Sequence, residues 1–161
     1  LGYENVEFRF GDIEDLPLAN NLADVIVSNC VLNLVPDKQK AFSEIYRTLK
    51  PGAHFCVSDI VIKGELYPEL KKSGEMYAGC VAGAIQQQDY LNMIKDAGFI
   101  NTEIKKTKVI ELPDEVLLQY LDKTQLLDYK SSGVGIFSIT VVAEKPIDQL
   151  KGCCDDSCCK N

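Results

Sequence analysis

The sequence has one histidine, His54, among its 161 residues, and no apolar run approaching the ~20 residues that cross a bilayer. The first scarcity removes most zinc-site patterns, which need histidines or CxxC pairs at matching spacing, so zinc is only weakly signalled. The second excludes a membrane-spanning helix. The opening stretch LGYENVEFRF lacks the basic patch, apolar core and small-residue cleavage site of a secretory leader. Basic residues are outnumbered 24 to 17, leaving a net charge of −7. That charge opposes the phosphate contacts on which nucleic-acid binding depends. The expectation is a cytoplasmic protein whose partners are small molecules or proteins, with neither nucleic acid nor membrane among them.

Cysteine is what the chain has in excess. There are seven, an odd number, and four of them (Cys153, Cys154, Cys158 and Cys159) crowd the polar terminal segment KGCCDDSCCKN. Adjacent pairs and the lack of a leader argue for reduced thiols over a disulfide framework. No internal repeat is evident, and 161 residues suit one domain with a sizeable core.

Apolar periodicity alternates between strand and helix. Residues 6–10 (VEFRF) alternate apolar and polar before Gly11, and residues 23–28 (ADVIVS) form a short continuous apolar run, the pattern of a strand covered on both faces. Between Pro36 and Lys50, Phe42, Ile45 and Leu49 recur at helical spacing, and Pro51-Gly52 supplies the stop. Residues 54–62 (HFCVSDIVI) close a β-α-β unit with a right-handed crossover. Helices are predicted over 67–84 and 87–97, the second with Tyr90, Leu91, Ile94 and Ala97 inward and Gly98 as its stop. Strands follow at 102–112 and 135–144, pairing antiparallel, with an amphipathic helix near 114–121 between them. From residue 145 the pattern dissolves into a mobile tail. The fold class is α/β.

These residues carry a resemblance. GDIEDLPL (11–18), ADVIVSN (23–29), TLKPGAHFCVSD (48–59) and GIFSITVVAEKP (135–146) resemble the second half of S-adenosylmethionine-dependent methyltransferases of the seven-stranded Rossmann-like class. More narrowly, SNCVLNLVPDK (28–38) with YAGCVAGAI (77–85) resembles the arsenite methyltransferases, which methylate trivalent arsenic bound to protein thiolates. The similarity runs from about residue 3 to 146.

The resemblance implies a partial Rossmann-like sheet of C-terminal strands with the last strand antiparallel. Residues 1–62 would be the C-terminal half of the cofactor-binding core, 63–146 the substrate-binding region with the closing strands, and 147–161 the mobile Cys-rich tail. The family's Gly-rich loop after a first strand, and the acidic residue ending a second, are not found here. The chain therefore reads as part of a longer enzyme, inactive alone. Strands 6–10 and 23–28 would then be short of neighbours, pairing with each other or recruiting a second copy as a homodimer.

The resemblance also assigns roles, each with a plainer alternative. Asp12 would accept a hydrogen bond from the adenine amine of S-adenosylmethionine; otherwise it caps a turn. Ile13 would pack on the adenine ring. Asn29 would line the methionine end of the pocket, or simply form a turn. Cys30, directly after its strand, stands where the transferring methyl would sit, although a buried cysteine is often an inert small hydrophobe. Cys80 lies between Gly79 and Gly83, which strip away bulk around its thiol; helix packing is the alternative. Trivalent arsenic prefers thiolate ligands, so Cys30 and Cys80 together suit arsenite or its thiol conjugates as substrate. The tail cysteines would capture the same substrate, or be an unstructured terminus.

Cys56 alternates into its strand and reads as core. Asp59 shapes the pocket or caps the next loop, and His54 receives no role. Two other classes fit the same residues: a methyltransferase for a different small acceptor, and a non-enzymatic thiol-rich module that binds metals or metalloids.

Overall fold

The computed structural model describes residues 2–66, 70, 81 and 83–147. Cys80, the four tail cysteines and most of the predicted 67–84 helix lie outside them.

Strand β1 (Ala23–Asn29) leads through a 3₁₀ turn at Leu32–Leu34 into helix α1 (Lys38–Thr48). The Asp37 carboxylate accepts the Lys40 backbone N–H at 2.9 Å, satisfying one of the open donors at the helix start. Strand β2 (Leu49–Lys63) follows without a loop. Next come the two-residue strand β3 (Ile85–Gln86) and helix α2 (Gln87–Asp96), which stops at Gly98, where φ is +101°. Strand β4 (Ile100–Ile110), the short helix α3 (Asp114–Leu117), helix α4 (Lys123–Ser132) and strand β5 (Gly135–Glu144) complete the order.

The strands form one mixed sheet in the order β1-β2-β5-β4. β1 runs parallel to β2 from Ala23 opposite Leu49 to Asn29 opposite Ser58. β3 takes over that flank of β2 at Val61 and Ile62, beyond where β1 has ended. β5 is antiparallel to both β2 and β4, matching the expected reversal of the last strand. Parallel β1 and β2 joined through α1 make the predicted β-α-β unit; β1 ends at the Asn29–Cys30 corner, and β2 runs on to Lys63.

Alternation along β2 gives the sheet two unlike faces. Phe55, Val57 and Val61 point to the main core, where Phe42 and Ile45 of α1 meet Tyr90 and Ile94 of α2. Phe42 and Tyr90 pack edge to face at 5.3 Å between centroids. Ile60 and Ile62 point the other way, into a second cluster with Ile136, Leu112, Leu117 and Leu121. Lower on that second face, Val27 is 75% exposed and Val25 is exposed as well.

Below the main core, the buried Lys145 Nζ donates to Asn21 Oδ1 at 2.7 Å and to the carbonyls of Tyr46 and Leu49 at 2.8 Å each. An ammonium that fills three acceptors in this way ties the chain after β5 to the loop before β1 and the end of α1.

Four expectations need correction. Residues 6–10 form no strand; Phe8 and Phe10 are fully exposed. An extended run becomes a strand only when a neighbour takes its backbone groups, and β1 does not pair with it. What holds the run is Arg9, which pairs with Glu7 at 2.7 Å and donates to the Pro17 carbonyl. Cys56 is half-buried and sits outside the main core, because β2 alternation puts it in line with Val27 and Val142 on the opposite face. Helix α3 covers four residues where about eight were expected. Helix α4 was not foreseen: it buries no residue, so it lacks an apolar stripe, and what starts it is the Asp122–Gln125 capping box.

Candidate functional site

The corner at the end of β1 is made by backbone. Cys30 adopts φ +55°, a left-handed conformation uncommon for a residue with a side chain. Its N–H donates to the Ser58 carbonyl at 2.8 Å, one bond past the last register pair of the two strands. The chain therefore turns sharply at the thiol-bearing residue. Asn29 is exposed at the strand end, and Cys30 is half-buried beside the second cluster.

Gly83 meets the same corner from another segment. A Cβ there would overlap the carbonyl of Asn33 and approach Leu34 Cα at 3.4 Å, so a bare backbone is needed for this contact. Asn33 stands three residues after Cys30, and Gly83 three residues after Cys80. Gly83 and Asn33, each three residues downstream of a cysteine, are thus in contact. The sequence pointed to Gly83 as a remover of bulk; the surface it relieves is the Asn33 carbonyl.

Asp12 lies in a tight turn ahead of β1. Its Oδ1 accepts the Glu14 N–H at 2.9 Å and its carbonyl accepts the Asp15 N–H at 3.1 Å. Asp12 is itself exposed, while Ile13 is half-buried against the main core. Glu14 accepts the Asp37 N–H at 3.0 Å, bringing this turn to the start of α1. Arg47 then fastens the loop. It donates to both oxygens of Glu44 at 2.8 and 2.7 Å, to the carbonyls of Leu16 and Leu18, and to Asn20. The Arg47 hydrogen bonds hold the Glu44 carboxyl below its ordinary 4.5, against an opposing push from burial. Nothing in the sequence pattern singled out Arg47; its i,i+3 spacing from Glu44 was the available signal.

Sequence reasoning noticed Asp59 but not its surroundings. It is 1% exposed, on the main-core side of β2. Tyr90 donates to its Oδ2 at 2.7 Å. Lys38 adds charge attraction, while Asp59 Oδ1 and Ser28 Oγ have no hydrogen-bond partner among the described residues. Burial outweighs these partners and pushes the carboxyl up to about 6. No cluster of three or more metal-ligating side chains exists among the described residues, and no described helix is long and apolar enough to cross a membrane.

The family described as "Methyltransferase domain" matches residues 1–98, most of the chain, including the Asp12 turn, β1, α1 and β2. The chain belongs to this methyltransferase family. An arsenite methyltransferase of Halobacterium salinarum is 43% identical over 101 residues, covering 63% of the chain and 26% of that protein. One from Aquipseudomonas alcaligenes is 39% identical over 124 residues, covering 75% and 36%. Among solved structures, an arsenic (III) S-adenosylmethionine methyltransferase from Chlamydomonas reinhardtii superposes with a TM-score of 0.65 at 29% identity, over 87% of the chain and 44% of its own. The methyltransferase domain described here thus spans about a quarter to a third of the length of those curated relatives.

Proposed function

We propose that this methyltransferase domain belongs to an enzyme that transfers a methyl group from S-adenosylmethionine to trivalent arsenic held by the thiolates of Cys30 and Cys80. The observation that supports the reading is the contact of Gly83 with Asn33, residues that each lie three positions downstream of one of the two cysteines. The resemblance to arsenite methyltransferases through both cysteine contexts supports the choice of substrate.

The residues present fit the cofactor. Asp12 is exposed in a fixed turn and can accept from an exocyclic amine, Ile13 offers an apolar surface beside it, and Asn29 is exposed at the strand end. When bound, S-adenosylmethionine supplies a methyl carbon made electrophilic by its sulfonium. Cys30 and Cys80, as thiolates, hold the arsenic and leave its lone pair as the nucleophile. The second apolar cluster beside Cys30 limits water at that point. Residues 63–146 form the substrate side, and the tail cysteines capture arsenite for delivery. Reduced thiols place the activity in a reducing compartment such as the cytoplasm. The chain taken alone has no Gly-rich loop after a strand, so it binds arsenite without turnover, and it pairs with a second copy along the outer edge of β1.

The test is methyl transfer to arsenite by the full-length enzyme carrying Cys30→Ser or Cys80→Ser. Loss of methylated arsenic in both variants is expected. Turnover retained by either one sinks the two-thiolate reading. Replacing the four tail cysteines with serine should raise the arsenite concentration needed for half-maximal rate; an unchanged value removes the capture role.

A further inference from the structure

We propose that Lys108 is a specificity-determining residue of the arsenic site: it selects trivalent arsenicals whose third substituent is an organic group ending in an anion, such as a carboxylate. This rests on the reading that Cys30 and Cys80 together hold arsenic.

Cys30 lines a cleft of about 720 Å³ on the second face of the sheet, together with Ile60, Ser138, Ile110, Lys108 and Glu111. Sheet register fixes that layout. Ile60 of β2 pairs with Ser138 of β5, and Ser138 pairs with Lys108 of β4. Residues directly opposite each other in a sheet share a face, and Ile60 belongs to the second cluster, against which Cys30 packs. The thiol and the ammonium therefore stand at opposite ends of one cleft.

Their separation decides what Lys108 can do. In the order β1-β2-β5-β4, the strand that ends at Cys30 and the strand that carries Lys108 lie three strand spacings apart, about 14 Å. A charge at that range is largely screened and does little for the acidity of the thiol. It acts instead on the far end of whatever fills the space between.

Two thiolates occupy two of the three bonds of trivalent arsenic, which leaves one substituent to enter the cleft. An arsonous group R–As(OH)₂ and two S–H groups give R–As(S)₂ and two waters, with no change of oxidation state. At ~30 Å³ for each water-sized group, arsenic with three hydroxyls fills on the order of 100 Å³, far less than the room beside Cys30. Ile60 and Ile110 suit the apolar body of a larger R, and Lys108 suits an anionic end. Lys108 makes no ion pair or hydrogen bond among the described residues, whereas Lys50, Lys105 and Lys130 each hold a carboxylate. Glu111 at the same end repels an anion and limits the preference. Lysine on an edge strand also discourages strand addition, a role indifferent to the charge of any ligand.

The experiment compares two probes, phenylarsonous acid and its 4-carboxy derivative, by titration calorimetry on the whole chain with its four tail cysteines replaced by serine. The readout is the ratio of their affinities. The parent should favour the carboxylate about fivefold, Lys108→Met should bring the ratio to about one, and Glu111→Gln should raise it above the parent's. A parent ratio of one overturns the proposal, as does the same ratio in parent and Lys108→Met, or a ratio that does not rise in Glu111→Gln. Cys30→Ser separates the two levels. Should that variant bind both probes as the parent does, the thiolate reading itself fails; should it lose both while Lys108→Met leaves the parent's ratio intact, only the specificity role fails.

Discussion

Tyr90 and Asp59 share a hydrogen bond of 2.7 Å inside the main core, and burial raises the carboxyl from its ordinary 3.8 to about 6. A folded-state value above the unfolded one means that the native state binds the proton more tightly between these limits. Stability from this group is therefore full below about pH 4 and lost as pH rises through 6. At 1.36 kcal/mol per unit the difference is roughly 2–4 kcal/mol. Urea midpoints of the parent relative to Asp59→Asn should fall between pH 4.5 and 7.5, because the substituted chain lacks this titration. A constant difference would show that Asp59 keeps an ordinary acidity.

Glu44 predicts the opposite slope. Arg47 depresses its carboxyl, so its stabilisation is present above about 4.5 and lost as pH falls below that. Arg47→Ala removes this pair and also leaves the carbonyls of Leu16 and Leu18 without their donor. The expected loss is about 1–3 kcal/mol, read as a lower urea midpoint, with faster proteolytic cleavage within residues 12–20. Arg47→Lys should recover little of it, since an ammonium cannot reach five acceptor atoms as the planar guanidinium does.

Gly83→Ala should cost about 1–3 kcal/mol by overpacking, because the obstructing atoms are the backbone of Asn33 and Leu34 and cannot rotate aside. The check is the urea midpoint of the variant. A midpoint equal to the parent's would mean that Gly83 does not lie against the Asn33–Leu34 backbone.

How far the sequence could be read follows from which residues decide each feature. β5 was found with its observed bounds because Gly135–Glu144 is a β-rich run bounded by glycine and a lysine-proline pair. α2 was found because Tyr90 and Ile94 repeat at helical spacing and Gly98 ends it. Residues 6–10 misled because alternation reports a side-chain pattern and not the presence of a hydrogen-bonding neighbour. Cys56 misled because apolar content does not say which face of β2 is covered. At the site, the end-of-strand placement of Asn29 and Cys30 was legible from topology. The Ser58 and Gly83 contacts with the turn were not, since they join residues 25 or more apart through backbone groups, which leave no trace in side-chain identity.

The outer edge of β1 carries the last prediction. β1 pairs with β2 on one side, and no strand takes its other side among the described residues. Val27, 75% exposed, and Val25 add an apolar strip beside that edge. Unpaired backbone next to exposed valine favours strand addition by a second copy, while the net charge of −7 opposes it through repulsion that salt screens. Association of the isolated chain should therefore strengthen with ionic strength, the reverse of an interface held by ion pairs. Val27→Lys places like charges near each other across a two-fold edge and should weaken association by about tenfold or more. Light scattering over a concentration series at two salt levels reads both effects. A parent chain that stays monomeric throughout would mean that the edge is covered in some other way, and would remove the second copy from the account.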